Sequence, residues 1–252
     1  MSRRSSPAPP AHHRLRLEVL PQPDPTTCGP TCLHAIYDFY GDPIPLDEVV
    51  RDVATLPGGG TLAVWLACHA LRRGYRATIY TYNLQLFDPT WFKGPDQDIP
   101  ARLAAQRRAK RDPKLAHATR AYLEFFDLGG KLKFKSLTPD LLSRPLTRGV
   151  PVLTGLSATY LYRCARERDD EYDDIGGQPT GHFVVVSGYD PVSRKVQVSD
   201  PLHDNPRYGT HTYRVRVERL IAAVLLGIVT YDANLLLITP DPARARGSQW
   251  PS

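Results

Sequence analysis

Residues 22–33 read Gln-Pro-Asp-Pro-Thr-Thr-Cys-Gly-Pro-Thr-Cys-Leu, and the rest of the chain is interpreted outward from them. Pro23 and Pro25 have no amide hydrogen and block regular pairing, so a loop leads into whatever follows. From Cys28 onward Cys32, Ala35, Ile36 and Phe39 recur at helical spacing, and Gly41 stands where a helix C-terminus is closed. Cys28 therefore opens a helix, with Pro30 in a first turn where a missing N–H costs nothing. That position matters for a thiol, because a helix N-terminus favours the thiolate, which is the nucleophilic form. The Cys28 amide would point at a developing oxyanion, and Gly29 would let a substrate backbone approach. Gln22 lies six residues upstream on the entering loop, where its carboxamide could reach back as a second donor.

A thiolate of this kind needs an imidazole, and the sequence supplies one at the mouth of a strand. Gly181-His182-Phe183-Val184-Val185-Val186 reads as a buried strand, and Lys195 to Ser199 reads as the next. The turn expected over Gly188 to Ser193 makes the two antiparallel, in a register that brings Asp200 of Val198-Ser199-Asp200-Pro201 beside His182. An aspartate accepting the imidazole N–H fixes the tautomer and stabilises the imidazolium. Each residue alone has a plainer reading: Cys28 as a small core hydrophobe, His182 as a hydrogen-bonded structural residue, Asp200-Pro201 as a turn starter, Gln22 as a solvated polar group.

The strings QPDPTTCGPTCL, GHFVVVSGYD and VSDPLHD resemble the three motifs of papain-like cysteine peptidases, and in particular of the bacterial bacteriocin-processing peptidases that cleave leader peptides after a double glycine. The resemblance implies an α+β papain-like fold, with an N-terminal helical half carrying the Cys helix and a C-terminal antiparallel sheet carrying His and Asp. It implies Cys28 as nucleophile, His182 as base, Asp200 as orienter and Gln22 in the oxyanion hole. The activity implied is peptide-bond hydrolysis through a thioester acyl-enzyme, in leader-peptide or other peptide maturation, on a peptide or protein substrate. A silent peptide-binding module of the same fold, and an amidase or acyl transferase with the same triad, stay open as alternatives.

Between and around the motifs, helices are expected over 46–53, 61–74, 99–111, 114–126, 140–148 and 218–227. Strands are expected over 15–20, 76–82, 132–134, 151–155, 210–217 and 234–238. The domain reading is a flexible basic tail over 1–14, a peptidase domain over 15–240 with a helical insertion at about 87–177, and a flexible tail over 241–252. Cys32 and Cys68 are assigned to the core, and Trp91 to packing of the insertion. The acidic run Glu167 to Gly177 must be exposed, because so many like charges cannot be buried unpaired.

Composition narrows the classes further. With 32 Lys+Arg against 26 Asp+Glu the net charge is +6, but in sequence the excess is spread over Arg3, Arg4, Arg14, Arg16, Arg244 and Arg246. The densest run, Arg107, Arg108, Lys110 and Arg111, reads as a solvated helix face, and no nucleic-acid partner is expected. Four cysteines and no apolar leader suit a reducing cytoplasm. The longest apolar stretch, Leu220 to Val229, is far shorter than the ~20 residues of a membrane span. No metal or cofactor is called for, and oligomeric state is not readable.

Overall fold

The structure, a computed structural model, describes residues 13–94 and 97–242; residues 1–12 and 243–252, where the tails were expected, lie outside the described residues. Strand β1 (His13–Arg14) is followed by α1 (Cys28–Phe39), α2 (Leu46–Asp52), α3 (Ala63–Arg72) and β2 (Tyr75–Thr81). A 3-10 turn (Pro89–Phe92) leads to α4 (Ile99–Ala109) and α5 (Pro113–Asp127). Then come β3 (Lys131–Lys133), α6 (Pro139–Leu146), β4 (Val152–Ser157), α7 (Ala158–Tyr162) and a small hairpin of β5 (Glu167–Arg168) and β6 (Glu171–Tyr172). The chain closes with β7 (Gly181–Asp190), β8 (Lys195–Ser199), β9 (Thr212–Arg216), α8 (Val217–Leu226) and β10 (Asn234–Pro240).

Local chemistry explains where the helices begin. The carboxylate of Asp98 accepts from the Ala101 amide at 3.0 Å, and that of Asp112 accepts from Lys114 and Leu115 at 2.8 and 3.1 Å, each ahead of a proline in the first turn. Thr138 caps α6 in the same way, accepting from Leu141 at 3.2 Å. Gly41 and Gly74, at φ 70° and 87°, stand beyond α1 and α3, where a left-handed residue is needed.

The main sheet runs β3-β2-β10-β4-β7-β8-β9, antiparallel except for β2 with β3, and β1 joins β7. Helices cover both faces. On one, Phe183 and Val185 of β7 pack with α1, α3 and α5; on the other, Val184 and Val186 pack with α6, α7 and α8. Alternation along β7 thus serves two cores, which is why the strand reads as a continuous apolar run. The expected α+β architecture is present.

Three expectations are corrected. Residues 15–20 form no strand; pairing is made earlier, by His13 and Arg14 against Tyr189 and Gly188. Strand β7 outlasts β4, whose last partner is Val186, and β1 takes the edge left free. The turn expected from Gly188 begins later, because β7 continues through a bulge to Asp190. Asp190 itself holds the turn, accepting from the amides of Val192 and Ser193 at 3.0 and 3.1 Å. Finally, the segment 87–177 is not helical throughout: after Asp127 strands alternate with helices as β3, α6, β4 and α7, with β4 lying between β10 and β7. Nor are α4 and α5 a separate lobe, since Ile99, Leu103, Leu115 and Phe125 share the core of α1.

Candidate active site

Cys28 is the first residue of α1 and is 8% exposed. The Thr27 hydroxyl does not cap the helix; it donates to the Asp24 carbonyl at 3.0 Å and accepts from the Asp24 amide at 3.2 Å. First-turn amides have no intrahelical acceptor, so those beside the thiol remain available to an oxyanion. Gly29 has a packing reason as well. A Cβ there would lie 2.6 Å from Thr61 Cγ2 and 3.3 Å from Leu66 Cδ1 and Phe183 Cδ2. The glycine allows close packing of α1 on Thr61, α3 and β7.

His182, the second residue of β7, is 5% exposed. Its Nε2 meets Asp200 Oδ1 at 2.8 Å, and its other ring partner is the Cys28 side chain. Burial alone would pull the imidazolium pKa down; Asp200 and Cys28 outweigh it and push the value up to about 10. Burial likewise opposes ionisation of Asp200, but His182 and two tyrosine hydroxyls hold its carboxyl below the usual range.

Those hydroxyls belong to Tyr162, at 2.7 Å from Asp200 Oδ2, and Tyr213, on the same oxygen. The Leu202 amide donates to Oδ1 at 2.9 Å. The Asp200 backbone is pinned as well: its N–H donates to the His211 carbonyl at 2.8 Å, and His211 Nδ1 lies 2.7 Å from the Asp200 carbonyl oxygen. Tyr208 stacks on Tyr213 with centroids 3.8 Å apart. Sequence reading did not single out Tyr162 or Tyr213. For Tyr213 a signal existed, since the alternation Thr-Tyr-Arg-Val-Arg turns Tyr213 and Val215 inward.

Gln22 is tied to the same region through its amide, which donates to the Pro201 carbonyl at 3.0 Å. Its Nε2 donates one hydrogen to the Asp24 carbonyl at 2.9 Å and retains a second. Gln22, Tyr162, Gly181 and His182 all line one cleft of about 440 Å³. Asp24, Glu167, Asp170 and Asp204 also line it, so the expected exposed acidic run overhangs the site as the β5–β6 hairpin. His203 pairs with Asp204 at 2.7 Å.

Another buried carboxylate, missed in the sequence, lies nearby. Asp232 rests across the strands β4 and β7 where both carry glycine: a Cβ on Gly155 would lie 2.7 Å from Asp232 Cβ, and one on Gly181 would meet its Oδ2. Thr230 donates to that Oδ2 at 2.7 Å. Burial pushes the Asp232 pKa up to about 7, against the opposing pull of Thr230, Lys114 and His182.

The fold is that of the papain-like cysteine peptidases. Residues 109–220 match the family described as the Peptidase_C39 like family, a stretch that includes His182 and Asp200 and stops short of Cys28. Among solved structures, a protein described as a C39-like peptidase from Bacillus anthracis superposes with a TM-score of 0.52 at 14% identity, over 92% of this chain and 99% of that one. Xylellain, a cysteine protease from Xylella fastidiosa, gives 0.44 at 14% identity, over 93% and 87%. A double glycine motif protease from an AMS/PCAT transporter, in complex with its leader peptide, gives 0.43 at 14% identity, over 90% and 94%. A comparison with curated proteins finds no match. No helix among the described residues is long and apolar enough to cross a membrane.

Proposed function

We propose that Cys28, His182 and Asp200 are the catalytic triad of this peptidase and that Gln22 completes its oxyanion hole. The observation that carries the reading is the buried His182 ring, partnered by Asp200 on one side and Cys28 on the other. The Cys28 thiolate attacks the scissile carbonyl carbon, and the oxygen's charge is met by the Cys28 amide and the free Gln22 N–H. The C–N bond breaks as the His182 imidazolium gives its proton to the leaving amine, which leaves a thioester on Cys28. Water, deprotonated by His182, then attacks the thioester and releases the acid, restoring the thiolate–imidazolium pair. Asp200 keeps the ring in place and stays ionised.

The substrate in this reading is a polypeptide cut during its maturation, with leader-peptide removal as the specific form, and the setting is a reducing cytoplasm in which Cys28 stays a thiol. Two measurements on the full chain test it. Iodoacetamide should alkylate Cys28 faster at about pH 6 than an ordinary exposed thiol, with the advantage lost in His182→Ala. A peptide-library digest should show cleavage by the wild type and none by Cys28→Ala. Cleavage surviving in Cys28→Ala would refute the nucleophile, and slow alkylation of Cys28 would refute its activation.

A further inference from the structure

The positive charge that looks scattered in sequence is gathered in space. Arg163, Lys195, Arg207, Arg214, Arg216 and Arg219 line one concavity of about 450 Å³, with Glu218 the acidic residue among its walls. They come from the end of α7, from β8, from the loop after it, from β9 and from α8. Little inside the protein neutralises them. Arg214 pairs with Asp190 at 2.8 Å, and Glu218 is taken by Arg194, whose Nε lies 2.8 Å away. Arg219 finds the Tyr160 carbonyl at 2.9 Å, while Arg163, Lys195, Arg207 and Arg216 make no ion pair with a carboxylate among the described residues.

Two features make this arrangement costly in the free protein. Lys195 and Arg216 are direct cross-strand partners in the β8–β9 ladder, a placement in which like charges repel. Arg163 ends α7 at φ 56° and ψ 42°, a left-handed site that suits glycine or asparagine far better. Protection of the sheet edge at β9 would explain one or two cations on that strand, not the convergence of four further segments on it.

The concavity adjoins the cleft. At α7, Ala158 and Tyr162 line the cleft, whereas Tyr160 and the C-cap residue Arg163 line the concavity; in the loop after β8, Leu202 and Pro206 face the first and Arg207 and Tyr208 the second. We propose that the concavity is an exosite that holds a carboxylate-rich segment of the polypeptide whose neighbouring bond enters the cleft. This rests on the peptidase reading for the identity of the occupant as a polypeptide. A single-stranded nucleic acid fits less well, because the aromatic faces its bases would need are already used. Tyr208 is stacked on Tyr213 with Arg207 against it, and Arg219 lies over Tyr160.

The test uses the full chain carrying Cys28→Ala, so that binding is read without the chemistry, and fluorescein-labelled deca-glutamate as the probe in fluorescence anisotropy. The probe should bind, and more weakly as salt rises. Adding R207E and R216E should weaken binding by about tenfold or more, whereas R107E and R108E, the same charge change on exposed α4, should shift it by about twofold or less. Arg163→Gly guards against misfolding as an explanation: it should keep or raise the melting temperature while weakening the probe. Absence of binding, equal loss from both charge-reversal pairs, or tighter binding of an oligothymidylate that R207E and R216E release would overturn the exosite. None of these outcomes bears on alkylation of Cys28, so the exosite and the triad fail separately.

Discussion

Asp200 accepts hydrogen bonds from His182, Leu202, Tyr162 and Tyr213 while wholly buried, and its behaviour follows from that saturation. Asp200→Asn should lower kcat by on the order of a thousandfold, since an amide can stabilise the wrong ring tautomer and offers no charge to the imidazolium. Tyr213→Phe tests the support instead. The Asp200 carboxyl is held below its ordinary pKa, so its contribution to stability is present above the unfolded value and is lost as pH falls through the folded one. Removing one donor raises the folded value. Acid unfolding followed by circular dichroism should then begin at higher pH, with a loss of about 1–3 kcal/mol at neutral pH. Asp232 carries the opposite sign. Its folded pKa of about 7 stands above the ordinary aspartate value of 3.8, so stability falls as pH rises between the two and stays lowered above the folded one. Asp232→Asn cannot ionise. Its advantage over wild type in chemical denaturation should therefore grow through that window and level off at about 2–4 kcal/mol.

At the scale of elements, the helix that Cys28 opens and the strand that carries His182 are legible because their signals are local. Apolar spacing after Cys28, the prolines ahead of that helix and a run of valines after His182 need no knowledge of partners. What sequence did not disclose is pairing over distance. Val152 to Ser157 was recognisable in part as a strand, yet nothing local says that it sits between β10 and β7, so it was grouped with the helices before it. Tyr162 and Tyr213 converge on Asp200 from α7 and β9, and Asp232 is cradled by glycines from two other strands. Only the assembled sheet brings such residues together. The tight seat of α1 can be probed directly: Gly29→Ala should cost about 1–3 kcal/mol in denaturant unfolding, because the new methyl meets Thr61 and two core side chains.

For the whole molecule, the status of α4 and α5 is decided by burial. Leu103 and Phe125 are wholly buried in the core that also holds α1 and α3. A chain in which residues 97–128 are replaced by a short flexible linker should bind a hydrophobic dye and lose near-ultraviolet circular dichroism, as expected when a core loses part of its wall. A native, cooperative melt from that deletion would mean that the helices are an accessory.

The Cys32 thiol, one turn behind Cys28, lies 3.3 Å from the carbonyl oxygen of Phe183, the residue after His182. This contact joins helix to strand in the interior immediately behind Cys28 and His182. Volume is therefore constrained unequally around the cleft: the exposed β5–β6 hairpin can change side chains without disturbing the core, while any enlargement at Cys32 or Phe183 pushes apart the helix and strand that carry Cys28 and His182.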